Sequence, residues 1–129
     1  FSAKNQAGQG GEADLLVENY LAQNPSSRVV ARLAAAQAAA RNDWPRARLL
    51  LEFLRRGGGE SDVRLLADLS RAQLRSGDTA AAEASARAAY RLQPANGAAA
   101  KAWGMSLEAL KTRPADARAL LAKASALGA

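Results

Sequence analysis

The chain contains no cysteine and no histidine. Without cysteine it can form neither a disulfide nor a thiolate metal site, and its redox compartment stays open, because cysteine-free chains serve in reducing and oxidising surroundings alike. Without histidine it lacks the commonest general base and the commonest metal ligand. Aromatic side chains are scarce, six in 129 residues, which disfavours a β-sandwich built on branched and aromatic residues. No apolar run approaches the length of a membrane-spanning helix, and the sequence holds no signal-peptide pattern. The opening Phe1-Ser2-Ala3-Lys4 predicts a piece cut from a longer protein, whose targeting signals would lie outside these residues.

Catalytic constellations are equally sparse. There is no His–carboxylate metal spacing, no P-loop and no dinucleotide fingerprint. Gly57-Gly58-Gly59 follows a helical pattern rather than a strand, so it reads as a helix stop. Ser70 and Ser106 have no base nearby in sequence to activate them. Glu12, Asp14 and Glu18 share a predicted helix, where Asp14 and Glu18 form an ordinary solvent-facing i,i+4 pair. The sequence therefore predicts no enzyme, no metal site and no cofactor.

What the chain has in abundance is alanine, 34 residues of it. Alanine is the best helix former and its side chain is the smallest apolar one, so helices form readily and approach closely. The net charge is +6, carried by 14 Arg and 4 Lys against 12 acidic residues. A basic balance permits nucleic acid, anionic lipid or acidic protein as partner. GC-rich codons, which encode Arg, Ala and Gly alike, also account for the skew.

A signature recurs along the sequence. Gly8-Gln9 precedes Ala13, Asn42-Asp43 precedes Ala47, Gly77-Asp78 precedes Ala82 and, more faintly, Thr112-Arg113 precedes Ala117; the small residues are spaced by 34, 35 and 35. A constant period of that length marks a solenoid of stacked supersecondary units. Helical spacing of apolar residues predicts seven helices, over 12–23, 28–41, 45–56, 62–76, 79–92, 97–111 and 114–127. Inward groups are expected at Leu16, Val17, Tyr20 and Leu21, then at Val30, Leu33 and Ala34, and later at Leu50, Leu51, Leu65, Leu66, Leu69, Trp103, Leu107, Leu120 and Leu121. Ser26 or Ser27, and Ser61 or Asp62, are positioned as N-caps, with Pro45 in a first turn where its missing N–H does no harm. The boundaries predict a partial unit over 1–25, full units over 26–59, 60–94 and 95–129, and one all-α domain.

These residues resemble the tetratricopeptide repeat family. In the clearest unit Leu66, Leu69 and Ser70 take the apolar and small places of helix A, Gly77-Asp78 is the turn, Ala82 and Ala89 are the small places of helix B, and Pro94 closes. Ala35, Ala47 and Leu51 fill the corresponding places one unit earlier, with Gly59 where Pro is expected. Pro25 closes the partial unit, and Trp103-Gly104 matches helix A of the last, where one extra residue before Thr112 breaks the register. The resemblance implies an α–α superhelix. A narrower stretch, Ala88-Ala89-Tyr90-Arg91-Leu92-Gln93-Pro94-Ala95-Asn96 with Ala102-Trp103-Gly104, is similar to the C-terminal repeats of bacterial tetratricopeptide lipoproteins tied to exopolysaccharide secretion. That similarity implies a periplasmic or outer-membrane-associated parent, although nothing in the composition excludes the cytoplasm.

The resemblance also implies where a partner would bind: the concave face formed by the A helices. Its phase maps onto Arg32, Ala36 and Ala39, then Arg64, Ala67, Arg71, Leu74 and Arg75, then Ala98, Lys101, Met105 and Glu108. Arg64, Arg71 and Arg75, at spacings of seven and four, share one helix side, so their guanidinium groups are expected to converge beside an Ala-lined groove. Arginine offers paired donors to carboxylates, which suits a protein or peptide partner of acidic character. A solvated charged face is the plainer reading. The family's clamp for a C-terminal carboxylate uses Asn and Lys, and Ala36 and Ala98 stand in two of its places. Ala13, Ala47, Ala82 and Ala117 are read as packing positions, Trp44 as a half-exposed staple beside Pro45, and Tyr20 and Tyr90 as wedges between units. The expected function is a protein-interaction scaffold; a nucleic-acid-binding array and a spacer within a longer array are the alternatives. Nucleic-acid binding is the weaker one, because the mapped groove positions lack stacking aromatics.

Overall fold

The computed structural model describes residues 15–59 and 61–129, which form seven α-helical segments and, among those residues, no strand. The first, α1, is helical over 15–23. It is followed by α2 (Arg28–Ala40), α3 (Trp44–Leu54), α4 (Val63–Arg75), α5 (Thr79–Leu92), α6 (Gly97–Ala109) and α7 (Pro114–Ala126). The helices stack in antiparallel pairs, α2 on α3, α4 on α5 and α6 on α7, each pair leaning on the next. The Gly8-Gln9 turn, the Gly10-Gly11 break, Ala13, Glu12 and Asp14 lie outside the described residues.

The recurring signature acquires a mechanism here. The Asn or Gly of each turn takes the left-handed backbone, Asn42 at φ 62° and Gly77 at φ 88°. The acid that follows caps the next helix: Asp43 accepts from the Arg46 N–H at 3.4 Å and Asp78 from the Ala81 N–H at 3.2 Å. Ser27, Asp62 and Asn96 do the same at α2, α4 and α6. Such caps satisfy helix N–H groups that would otherwise lack partners. The start of α7 differs. Lys111 takes the left-handed place at φ 55°, Arg113 repeats it at φ 48°, and no side chain caps the helix; Pro114 opens it instead. The extra residue thus leaves the last turn with two strained non-glycine positions.

Packing follows the small residues. Ala47, Ala82 and Ala117 are 0%, 0% and 3% exposed. Facing them stand Ala35, Ser70 and Gly104. The Ser70 hydroxyl donates to the Ala82 carbonyl at 2.7 Å, and a Cβ on Gly104 would sit 3.2 Å from the Ala117 carbonyl oxygen and 2.9 Å from Leu121. Helix axes approach this closely only across side chains of that size. Leu50, Leu51 and Leu54 of α3 join Leu65 and Leu69 of α4 and the alanines of α2 in one core. Tyr90 is the predicted wedge, packed at 5.1 Å against the Trp103 ring and accepting from Lys123 at 2.8 Å.

Three core expectations fail. Leu16, Tyr20 and Leu33 are exposed, and α2 buries Ala31, Ala34, Ala35 and Ala38 in place of Leu33. Glu18 does not simply face solvent either: it accepts from two of the Arg46 guanidinium nitrogens, at 2.5 and 3.2 Å, and ties α1 to α3. The three glycines after α3 do more than stop it. Residues Arg55–Gly59 form a wider π-type turn with Gly58 at φ 115°. Arg28 reaches across from α2 to donate to the Leu54 carbonyl at 2.8 Å, and a Cβ on Gly57 would collide with that guanidinium.

Candidate functional site

Because α2, α4 and α6 line the same side of the stack, their solvent-facing residues meet across two adjoining cavities. The first, about 450 Å³, lies between α2 and α4. Its floor is Ala35, Ala36, Ala39, Ala47, Leu51 and Ala72, and its rim carries Arg32, Arg64, Asp68, Arg71 and Trp44. The second, about 310 Å³, lies between α4 and α6, with Ala67, Leu74, Ala98, Ala102 and Met105 below Arg71, Arg75 and Lys101. Every residue mapped from the sequence onto the groove lines one cavity or the other, except Glu108. Arg71 and Asp68 border both.

The three α4 arginines do not converge as one cluster. Arg64 turns to Asp68, at 3.4 Å one helical turn away. Arg71 and Arg75 swing instead over the Trp44 ring, 5.1 and 5.7 Å from its centroid. A guanidinium over an indole face is held by the ring quadrupole. Arg32 pairs with Asp62, the residue that caps α4. The hydrogen bond from the Leu65 N–H, reinforced by Arg32, holds the Asp62 carboxyl below its usual range. Asp68 is the reverse case: its side chain is half exposed at the junction of the cavities, yet partial desolvation there pushes its carboxyl above the usual range, against the pull of Arg64 and Arg71. The surface is therefore cationic but pre-ordered, with five basic side chains around two carboxylates.

Sequence reasoning read Trp44 as a half-exposed staple and Asp62 as a cap but gave neither a place beside the groove, and it missed Asp68. Trp44 follows directly on the cap of α3, which aims it back under α4 rather than outward. The signal for Asp68 was present, four residues after Arg64 on the mapped side. Ser70 and Ser106 are buried, 3.3 Å apart, and donate to the backbone carbonyls of Ala82 and Ala102, so both serve packing. Among the described residues no group of three or more acidic side chains could hold a metal ion, and no helix is long and apolar enough to cross a membrane.

The sequence matches no protein-family model and no curated protein. Its fold does match solved structures. MamA of strain MSR-1 superposes with a TM-score of 0.81 at 21% identity, covering 98% of this chain and 71% of that one. MamA of strain AMB-1 gives 0.80 at 23% identity, over 98% and 68% of the two chains. A MamA fragment from Desulfovibrio magneticus RS-1 gives 0.80 at 15% identity, over 96% and 69%. Likeness at such identities is likeness of fold, and the fold shared across almost the whole chain is an all-α superhelix of the tetratricopeptide type.

Proposed function

We propose that the chain is a non-catalytic interaction scaffold whose A-helix groove binds an acidic segment of a partner protein. The supporting observation is the paired cavity. Alanine floors leave room for large apolar side chains, while Arg32, Arg64, Arg71, Arg75 and Lys101 stand around the rims. A carboxylate brought between Arg71 and Arg75 would replace their hold on Trp44 with paired, charge-assisted hydrogen bonds. The cationic rim also speeds encounter with a negative partner.

The test is a short fluorescent peptide of alternating Glu and Leu, titrated against the wild type and against Arg71→Glu/Arg75→Glu. The double reversal should weaken binding by about tenfold or more while leaving the circular-dichroism melt in place. Equal affinity for both proteins removes the groove from the account. A nucleic-acid ligand fits less well, since the groove aromatic, Trp44, is already covered by two guanidinium groups. Salt-dependent binding of single-stranded oligonucleotides would reverse that preference.

The similarity of Ala88–Asn96 and Ala102–Gly104 to envelope lipoproteins extends the proposal to a place at the periplasmic face, in exopolysaccharide secretion. Fractionation of cells expressing the tagged protein from its own gene tests it, and recovery in the cytosol rejects it.

A further inference from the structure

The repeat gives Arg113 two counterparts. At the period of 35 it stands where the earlier units have Asp43 and Asp78, the acids that cap α3 and α5. An arginine at that place conflicts with its surroundings in three ways. It cannot accept a helix N–H, so α7 starts without a side-chain cap. It brings a cation to the positive end of the helix. Its backbone is held left-handed at φ 48°, where a residue with a Cβ is strained. Conflicts gathered on one residue mark a side chain with a task beyond folding.

The task is visible in where the side chain ends. The Arg113 guanidinium lies 5.6 Å from the Trp103 ring centroid, with its Nε donating to Asp116 at 2.8 Å. The Lys123 ammonium lies 4.8 Å from the Tyr90 ring centroid and donates to the Tyr90 hydroxyl at 2.8 Å. The two rings pack on each other at 5.1 Å, and Glu83 fixes the indole by accepting its N–H at 2.8 Å. Anchored aromatic faces thus hold two cations in set positions. All four side chains border one cavity of about 210 Å³ between α5, α6 and α7, whose wall Asp116, Ala119 and Leu120 complete. One unit earlier Tyr90, Trp103 and Lys123 are replaced by Arg55, Leu69 and Ala88, so the set belongs to this joint and not to the repeat.

The cavity holds unspent donors. The Arg113 Nη groups, the remaining Lys123 ammonium protons and the Tyr90 hydroxyl proton have no acceptor among the described residues. The carboxylate on the wall, Asp116, is engaged with the Arg113 Nε. We propose that this cavity is an anion site, which takes the carboxylate or phosphoryl group of a small ligand between Arg113 and Lys123. The guanidinium offers paired donors to two oxygens, while the ammonium and the phenol serve what remains. The site shares no residue with the two groove cavities. Trp103, two residues from both Lys101 and Met105, points to the other side of α6, so the site stands independently of the function proposed for the groove.

The test titrates sodium phosphate, and separately sodium acetate, into the isotope-labelled 129-residue protein at constant ionic strength set with sodium chloride, followed by NMR. Saturable shifts are expected at the Trp103 indole N–H, the Arg113 Nε–H and the Tyr90 ring, and the tighter of the two anions identifies the group. Arg113→Asp restores the residue type of the two earlier turns. It should weaken the anion by about tenfold or more and leave thermal melting in place or raise it. Lys123→Gln keeps a donor for the Tyr90 hydroxyl but removes the charge, and should weaken the anion several-fold. Three results overturn the proposal: no saturable shifts with either anion at tens of millimolar, shifts centred on the groove arginines instead, or undiminished binding by either variant.

Discussion

The stack has two joints between helix pairs, and they are built differently. Four residues separate α5 from α6, whereas eight separate α3 from α4. At the tight joint the backbones of α4 and α6 pack directly and the Ser70 and Ser106 hydroxyls stand 3.3 Å apart between them. At the loose joint the π-type turn holds the pairs apart, α2 and α4 barely approach each other, and α3 fills part of the gap from below. Arg32 bridges that opening to the cap of α4, while Arg28 ties α2 to the end of α3 within its own pair. A local irregularity in connection length thus sets cavity size, and the larger cavity is the one whose floor contains a B helix.

The sharpest way to break this comparison is to add the same bulk at both crossings. Ala82 lines neither groove cavity, so Ala82→Leu must push α4 from α5, at about 3 kcal/mol. Ala47 borders the larger cavity, into which a leucine can extend, so Ala47→Leu should cost about 1 kcal/mol. Urea denaturation measures both, and equal losses would mean that the larger cavity gives the α2–α3 crossing no room that the α4–α5 crossing lacks. The next largest effect belongs to the turn. Gly58→Ala places a Cβ on a backbone at φ 115° and should destabilise by about 1–2 kcal/mol. Hydrogen exchange should then accelerate in α3 and the start of α4 rather than in α6.

Asp62→Ala removes the cap of α4 and the anchor of Arg32 together, at about 1 kcal/mol. The folded Asp62 carboxyl titrates below its usual range, so its contribution is present above the ordinary carboxylate pKa. It is lost as the pH falls through the folded value. Melts in an acid series should show wild type and variant converging there. The smallest effect is expected at Asp68, whose carboxyl is displaced upward by desolvation. Its charged form is penalised at neutral pH and the penalty vanishes as the pH falls below the ordinary range. Asp68→Asn should therefore stabilise slightly at pH 7 and not at all in acid, a difference thermal melting can resolve.

Features fixed by neighbours in sequence were legible beforehand. The left-handed residue followed by a capping acid is a local device, so Asn42-Asp43 and Gly77-Asp78 announce their turns without help from the fold. The buried alanines at 47, 82 and 117 follow from the same phase. The sites of the groove arginines were legible too, as positions on a helix side. Their directions were not, because these depend on Trp44 and Asp68 arriving from elsewhere in the stack. Leu16, Tyr20 and Leu33 were misread for a related reason. Apolar residues at helical spacing declare a face to be covered, and spacing alone says nothing about whether the cover is in place. In the last turn Lys111, not Thr112, takes the left-handed position, since the surplus residue enters after the helix has ended.

Arg71 and Asp68 form a shared partition between two chambers. A guest that draws the guanidinium to one side withdraws a cation from the other. Two short guests would therefore compete without ever touching, while a single long one straddling the partition would engage both chambers at no such penalty.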